Sequence, residues 1–152
     1  MSIESLLIDL DQMSWRKETS FKSWSPEIII SHLLYFDRMT IYSHQDKDKF
    51  NQEASFLFKA FSSETNSLKR AKLVFDRLAI HEQSSMIDAW KKSNQEMTTI
   101  FQGVDPDERC QWFGPDMSAR MFMIARYMET VSYTHLRAHE TDSYLVCRLL
   151  LE

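Results

Sequence analysis

Among 152 residues there are only two glycines and three prolines. A β-sandwich or barrel needs a tight turn every ten residues or so, and such turns are built largely from Gly and Pro. A chain this poor in both is directed toward long helices with few connections. Gly103 and Gly114 stand alone, so no glycine-rich phosphate loop can be built. With 43% apolar residues, the chain can bury one real core and not two comfortable ones. The 18 basic and 22 acidic residues leave a net charge of −4, which gives no global pull toward nucleic acid or an anionic membrane. Two cysteines, Cys110 and Cys147, make neither a disulfide framework nor an all-cysteine zinc site, and a reducing cytoplasm is the simple reading. Residues 1–10 carry Glu4 and Asp9 without a basic n-region, unlike a signal peptide. The most apolar stretch, 28–41, is broken by Ser31, His32, Asp37 and Arg38, too short and too polar to span a bilayer.

Periodicity supplies the elements. Ile3, Leu6, Leu7, Leu10 and Met13 predict a first helix over about 2–16. Ser25, Pro26 and Glu27 are the three residue types favoured at a helix start: a hydroxyl for an orphan N–H, a proline that needs none, and a carboxylate at the positive dipole end. They predict a second helix over about 26–45. It is apolar nearly all round and therefore expected to be the most buried element. Residues 46–49 read as a charged, solvated turn. A short helix is expected around Phe50–Phe61, and another from Leu68 to Ala79. A further helix is expected from a cap at Ser84 or Ser85 to a C-terminal cap at Gly103. Residues 104–107 read as a turn and 111–115 as a loop. Asp116 is placed to cap a last helix running past Met128. The expectation is an all-α fold: four main helices plus extra short ones.

The last 22 residues, 131–152, read VSYTHLRAHETDSYLVCRLLLE. The string resembles the translation of a transposon-type sequencing adapter, with two constant blocks around a variable index, and is set aside as one sets aside a fusion scar. Glu129 is then the last fully genuine residue, and the parent protein is expected to be longer. Without Arg137 and Arg148, and without Glu140, Asp142 and Glu152, there remain 16 basic and 19 acidic residues, a net of −3.

Two residues invite chemistry. His32 lies inside the apolar helix, where an unpaired imidazole costs free energy; on its own it reads as a satisfied core histidine or as a ligand. Glu129 reads as an exposed carboxylate paired three residues back to Arg126 or as a ligand. The words around them sharpen the choice. Trp24-Ser25, His32-Leu33 and Asp37 resemble a "G-W-[ST]-…-H-L-…-D" helix start. Trp112-Phe113-Gly114-Pro115-Asp116-Met117-Ser118-Ala119-Arg120 and Ala125-Arg126-Tyr127-Met128-Glu129-Thr130 resemble "W-[FY]-G-P-x-M-S-A-R … A-R-x-M-E-T-x-x-H". Together they resemble the metal-binding domain of mycothiol-dependent maleylpyruvate isomerase and its relatives, within the DinB-like superfamily.

The resemblance implies a DinB-like four-helix bundle over 1–130, truncated at its C-terminal end. It also implies a divalent metal, usually zinc, held by His-Glu-His. His32 and Glu129 match the first two ligands. The third falls at 133, where this chain has Tyr133; i and i+4 share a helix face, so both can grip one ion. Arg120 and Arg126 belong to the matched block. They are expected either to bind a cofactor or substrate anion or to pair with Glu129 or Asp116. A low-molecular-weight thiol and an electrophilic substrate are the implied partners. The parent is then a metal- and thiol-dependent isomerase or transferase, and the chain as written, short of one ligand, is expected to be inactive. The alternative is a non-catalytic metal-binding or structural bundle. His44 and His81 match no ligand position and are expected at the surface or in loops.

Overall fold

A computed structural model describes Leu7 and residues 10–135. Six helices make up most of it: α1 (Gln12–Arg16), α2 (Pro26–Gln45), α3 (Lys47–Ser62), α4 (Ser67–Leu78), α5 (Gln83–Gln102) and α6 (Ala119–His135). Between α5 and α6 lie two short strands, β1 (Arg109–Cys110) and β2 (Met117–Ser118), paired antiparallel with Arg109 opposite Ser118. The fold is all-α, as its composition requires.

Helix α2 is the axis on which the others pack. It begins as its sequence dictates: the Ser25 hydroxyl accepts from the Ile28 N–H at 3.4 Å, Pro26 takes the first turn, and Glu27 follows. Its apolar residues are shared among four core clusters. Ile30, Leu33 and Leu34 meet Trp15, Met86 and Trp90. Tyr35 and Met39 meet Phe50, Leu57 and Val74. Ile41 joins Met97, Phe101 and Phe122, and Ile28 and Ile29 join Trp24 and Ala71. A helix buried nearly all round has little polar face to display, which is why its sequence shows little. Its internal hydroxyls turn back on its own backbone, Ser31 to the Ile28 carbonyl and Thr40 to the Phe36 carbonyl. Tyr35 donates to Glu53 at 2.9 Å, and Arg77 grips the same carboxylate with two nitrogens, tying α2, α3 and α4 together.

Several boundaries differ from expectation. The first helix is interrupted at residues 10–11, where Asp11 caps the short α1 through the Ser14 N–H; residues 1–6, 8 and 9 lie outside the described residues. The charged break shrinks to Asp46, which ends α2 and caps α3 by accepting from the Lys49 N–H, so Lys47, Asp48 and Lys49 already belong to α3. At α5 the cap position is Glu82, and Ser84 and Ser85 donate to its carboxylate instead of capping. At α6 Ser118, not Asp116, accepts from the Met121 N–H. Asp116 sits in the hairpin turn, where residues 111–115 form the loop between β1 and β2. Helix α6, as expected, runs past Met128, and it reaches His135.

Ala79 ends α4 in the left-handed region, at φ 54° and ψ 34°. An L-residue there is strained by roughly 1–2 kcal/mol, and glycine is not. Ala79 is exposed, so Ala79→Gly should remove strain without emptying the core. Glycine's larger unfolded-state entropy offsets part of the gain. Thermal denaturation should show a net stabilisation of about 0.5–1 kcal/mol; a lower melting temperature would contradict this account of the cap.

Candidate metal centre

His32 lies two turns into α2. Its ring packs against Phe36 at 4.6 Å and Trp24 at 5.2 Å between centroids, and its side chain is only 19% exposed. Burial and the nearby Arg126 guanidinium push its pKa down to about 3. The imidazole is therefore neutral at pH 7, the state in which a ring nitrogen can serve as a metal ligand.

Helix α6 brings Glu129 against this ring, with Glu129 Oε1 3.9 Å from His32 Nε2. That is too long for a hydrogen bond. It is close to the roughly 3.3 Å between two ligands on one tetrahedral zinc with bonds of about 2.0–2.1 Å. One turn further on, Tyr133 faces the same ring, 6.3 Å away and nearly perpendicular, and also packs on Phe21. His32, Glu129 and position 133 thus converge where α2 and α6 meet, with an imidazole and a carboxylate present and a phenol third. Tyr133 is packed against the core clusters, whereas residues 136–152 of the expected tail lie outside the described residues.

Arg126 holds Glu129 in place. It is 5% exposed, and its guanidinium is shared three ways. Nε donates to Asp37 Oδ1 at 2.9 Å, Nη2 to the Leu33 carbonyl at 3.1 Å, and Nη1 to Glu129 Oε2. Asp37, fully buried, also accepts from Asn94 at 3.2 Å. Glu129 is left with Oε1 turned to His32 while Oε2 is fixed, the kind of outer support that orients metal ligands. The ion pair between α2 and α6 is the feature that sequence reasoning missed. Its signal was Asp37 itself: an acid in the most apolar helix must find a partner. Arg120 is not brought to this place. It is exposed on the first turn of α6, pairs with Asp107 at 3.3 Å, and lies about 13 Å along the helix from Glu129.

The loop aromatics are structural supports for this corner. Trp112 packs on Phe122 at 4.9 Å and on Phe113 at 4.7 Å, and both loop rings touch Phe36, which lies against His32. His81 is exposed between α4 and α5, beside Phe75. His44 differs from expectation: it lies in the last turn of α2, and its Nδ1 is buried.

Fold and site define a helical bundle with a histidine and a carboxylate set face to face on its central and last helices. The chain belongs to the mycothiol maleylpyruvate isomerase N-terminal domain family, whose profile matches residues 2–135. It is also similar to two uncharacterized proteins of Mycobacterium tuberculosis, from the strains CDC 1551 / Oshkosh and H37Rv. Each is 25% identical over 128 residues, 84% of this chain and 48% of the relative. The chain therefore spans about half the length of these relatives. No solved structure matches it. Among the described residues, no helix is long and apolar enough to cross a membrane.

Proposed function

We propose that the chain is the metal-binding bundle of a thiol-dependent isomerase or transferase, with His32 and Glu129 as ligands of a divalent metal, zinc by its donor chemistry. The observation that carries this reading is the 3.9 Å approach of a neutral imidazole to a braced carboxylate, in a family associated with mycothiol. Neutral nitrogen and carboxylate oxygen suit zinc. When bound, the metal would supply a positive charge that lowers the pKa of a cofactor thiol. Around it, this chain's own residues do the positioning. Asp37 fixes Arg126, Arg126 fixes Glu129, and Trp24 and Phe36 exclude water from the imidazole. Arg126 serves here as a positioning residue rather than a cofactor-binding one, and Arg120 finds no support in its placement for a part in cofactor binding. The adapter-like origin of residues 131–152, taken as part of this reading, accounts for a tyrosine where the family pattern has histidine.

The thiol half of the proposal is tested on the Tyr133→His chain loaded with zinc. Titration with a low-molecular-weight thiol at pH 7, repeated in buffers of different ionisation enthalpy, should show binding with release of about one proton per thiol. Zinc retained without any thiol binding would favour a non-catalytic metal bundle.

A further inference from the structure

A second cluster of metal-ligand atoms stands at the other end of α2. His44, Glu108 and Cys110 each offer one atom, and the three atoms lie within 4.8 Å of one another. His44 is twelve residues beyond His32, about 18 Å along the helix, so the two places are separate. The hairpin carries the other two residues: Cys110 in β1, and Glu108 just before it. The Ser43 hydroxyl donates to the Gln111 carbonyl and pins this hairpin to the last turn of α2.

The polar atoms here are brought together without being satisfied. Glu108 Oε1 is 2.9 Å from His44 Nδ1, yet Nδ1 is buried with no hydrogen bond, so the carboxylate lies out of line with the ring nitrogen. The separation itself is within hydrogen-bond reach and somewhat under the roughly 3.3 Å between two ligands on one tetrahedral zinc, so it is the missing alignment that leaves Nδ1 open to an ion. Cys110 is a free thiol, 2% exposed. Burial and Glu108 push its pKa up, and Lys47 opposes them; a bound cation would reverse that penalty.

We infer that His44, Glu108 and Cys110 form a second metal site, for zinc or another thiolate-accepting divalent cation. Binding forms a metal–sulfur bond, and the Cys110 proton leaves to bulk water. His44 coordinates through Nδ1 with its proton on Nε2. A thiolate and a carboxylate together cancel the ion's double positive charge, so the buried side of the site becomes neutral. Glu108 is 44% exposed, which leaves the fourth position to water. The ion would clip the end of α2 to β1, and so to the start of the helix that carries Glu129.

Cobalt(II) is the probe, because thiolate ligation gives it a charge-transfer band in the near ultraviolet. The full chain titrated with Co²⁺ should develop this band. It should persist in Cys147→Ser and in His32→Ala and vanish in Cys110→Ser. Since Cys110 is in the core, Glu108→Gln and His44→Ala provide the second arm. Glu108 is exposed and its replacement leaves the core intact, and each variant should weaken Co²⁺ binding at least about tenfold. No band at excess Co²⁺, a band lost with Cys147→Ser instead, or affinity indifferent to both Glu108→Gln and His44→Ala would each overturn the inference.

Discussion

Asp37→Ala is expected to destabilise the protein by about 3–5 kcal/mol, because it leaves the Arg126 guanidinium buried without its counter-charge. In a chain of this size that is a fall in melting temperature of roughly 6–20 °C. The pair itself is not expected to be a large net source of stability, since desolvating two charges offsets most of their attraction. The cost arises from breaking it. The double variant Asp37→Leu/Arg126→Met should therefore lose much less than the sum of the two single changes, a coupling that urea denaturation of the four proteins would measure. Additive losses, or less than about 1 kcal/mol for Asp37→Ala, would show that Arg126 finds another partner and that Glu129 is not braced as described. The size of the effect follows from position: Asp37 is 0% and Arg126 5% exposed.

The parts of this structure that were legible in the sequence are those fixed by neighbours along the chain. Helix α2 runs over Pro26–Gln45, as Ser25-Pro26-Glu27 at one end and an all-round apolar pattern dictate. The same pattern gave its place at the centre of the bundle. Caps were read less well, because several residues compete for them. At α6 both Asp116 and Ser118 can offer an oxygen, and the short β1–β2 ladder decides for Ser118 by holding Asp116 in the turn. At α5 two serines and Glu82 were in reach, and the serines bond to the glutamate. The ladder itself was invisible, since two residues per strand leave no period to detect.

At the candidate centre, His32 and Glu129 came from matched words in the chain. What turns Glu129 toward His32, however, is a contact across 89 positions between Arg126 and Asp37. No local rule contains such a contact; it could only be suspected from an acid lying in an apolar helix. The His44, Glu108 and Cys110 cluster was hidden for the same reason. His44 belongs to α2 and the other two to a hairpin more than sixty residues later.

Zinc affinity with and without Tyr133→His tests the metal centre most directly. Tyr133 faces His32 one turn beyond Glu129, so an imidazole at 133 needs only the helical backbone that α6 already has there. A phenol is a poor ligand at neutral pH, because it must lose a proton whose pKa is about 10. Changes to outer-shell groups alone shift metal affinity by about 10–100-fold, so gaining a whole ligand should reach at least the upper end of that range. Chelator competition should be run in the Cys110→Ser background, so that the thiolate cluster does not contribute. The chain with Tyr133 should bind zinc weakly, and Tyr133→His should bind it at least about 100-fold more tightly, with the gain abolished by His32→Ala. Equal affinity with Tyr133 and with histidine at that position, or a gain that survives His32→Ala, would contradict the assignment of His32 and Glu129 as the metal's ligands.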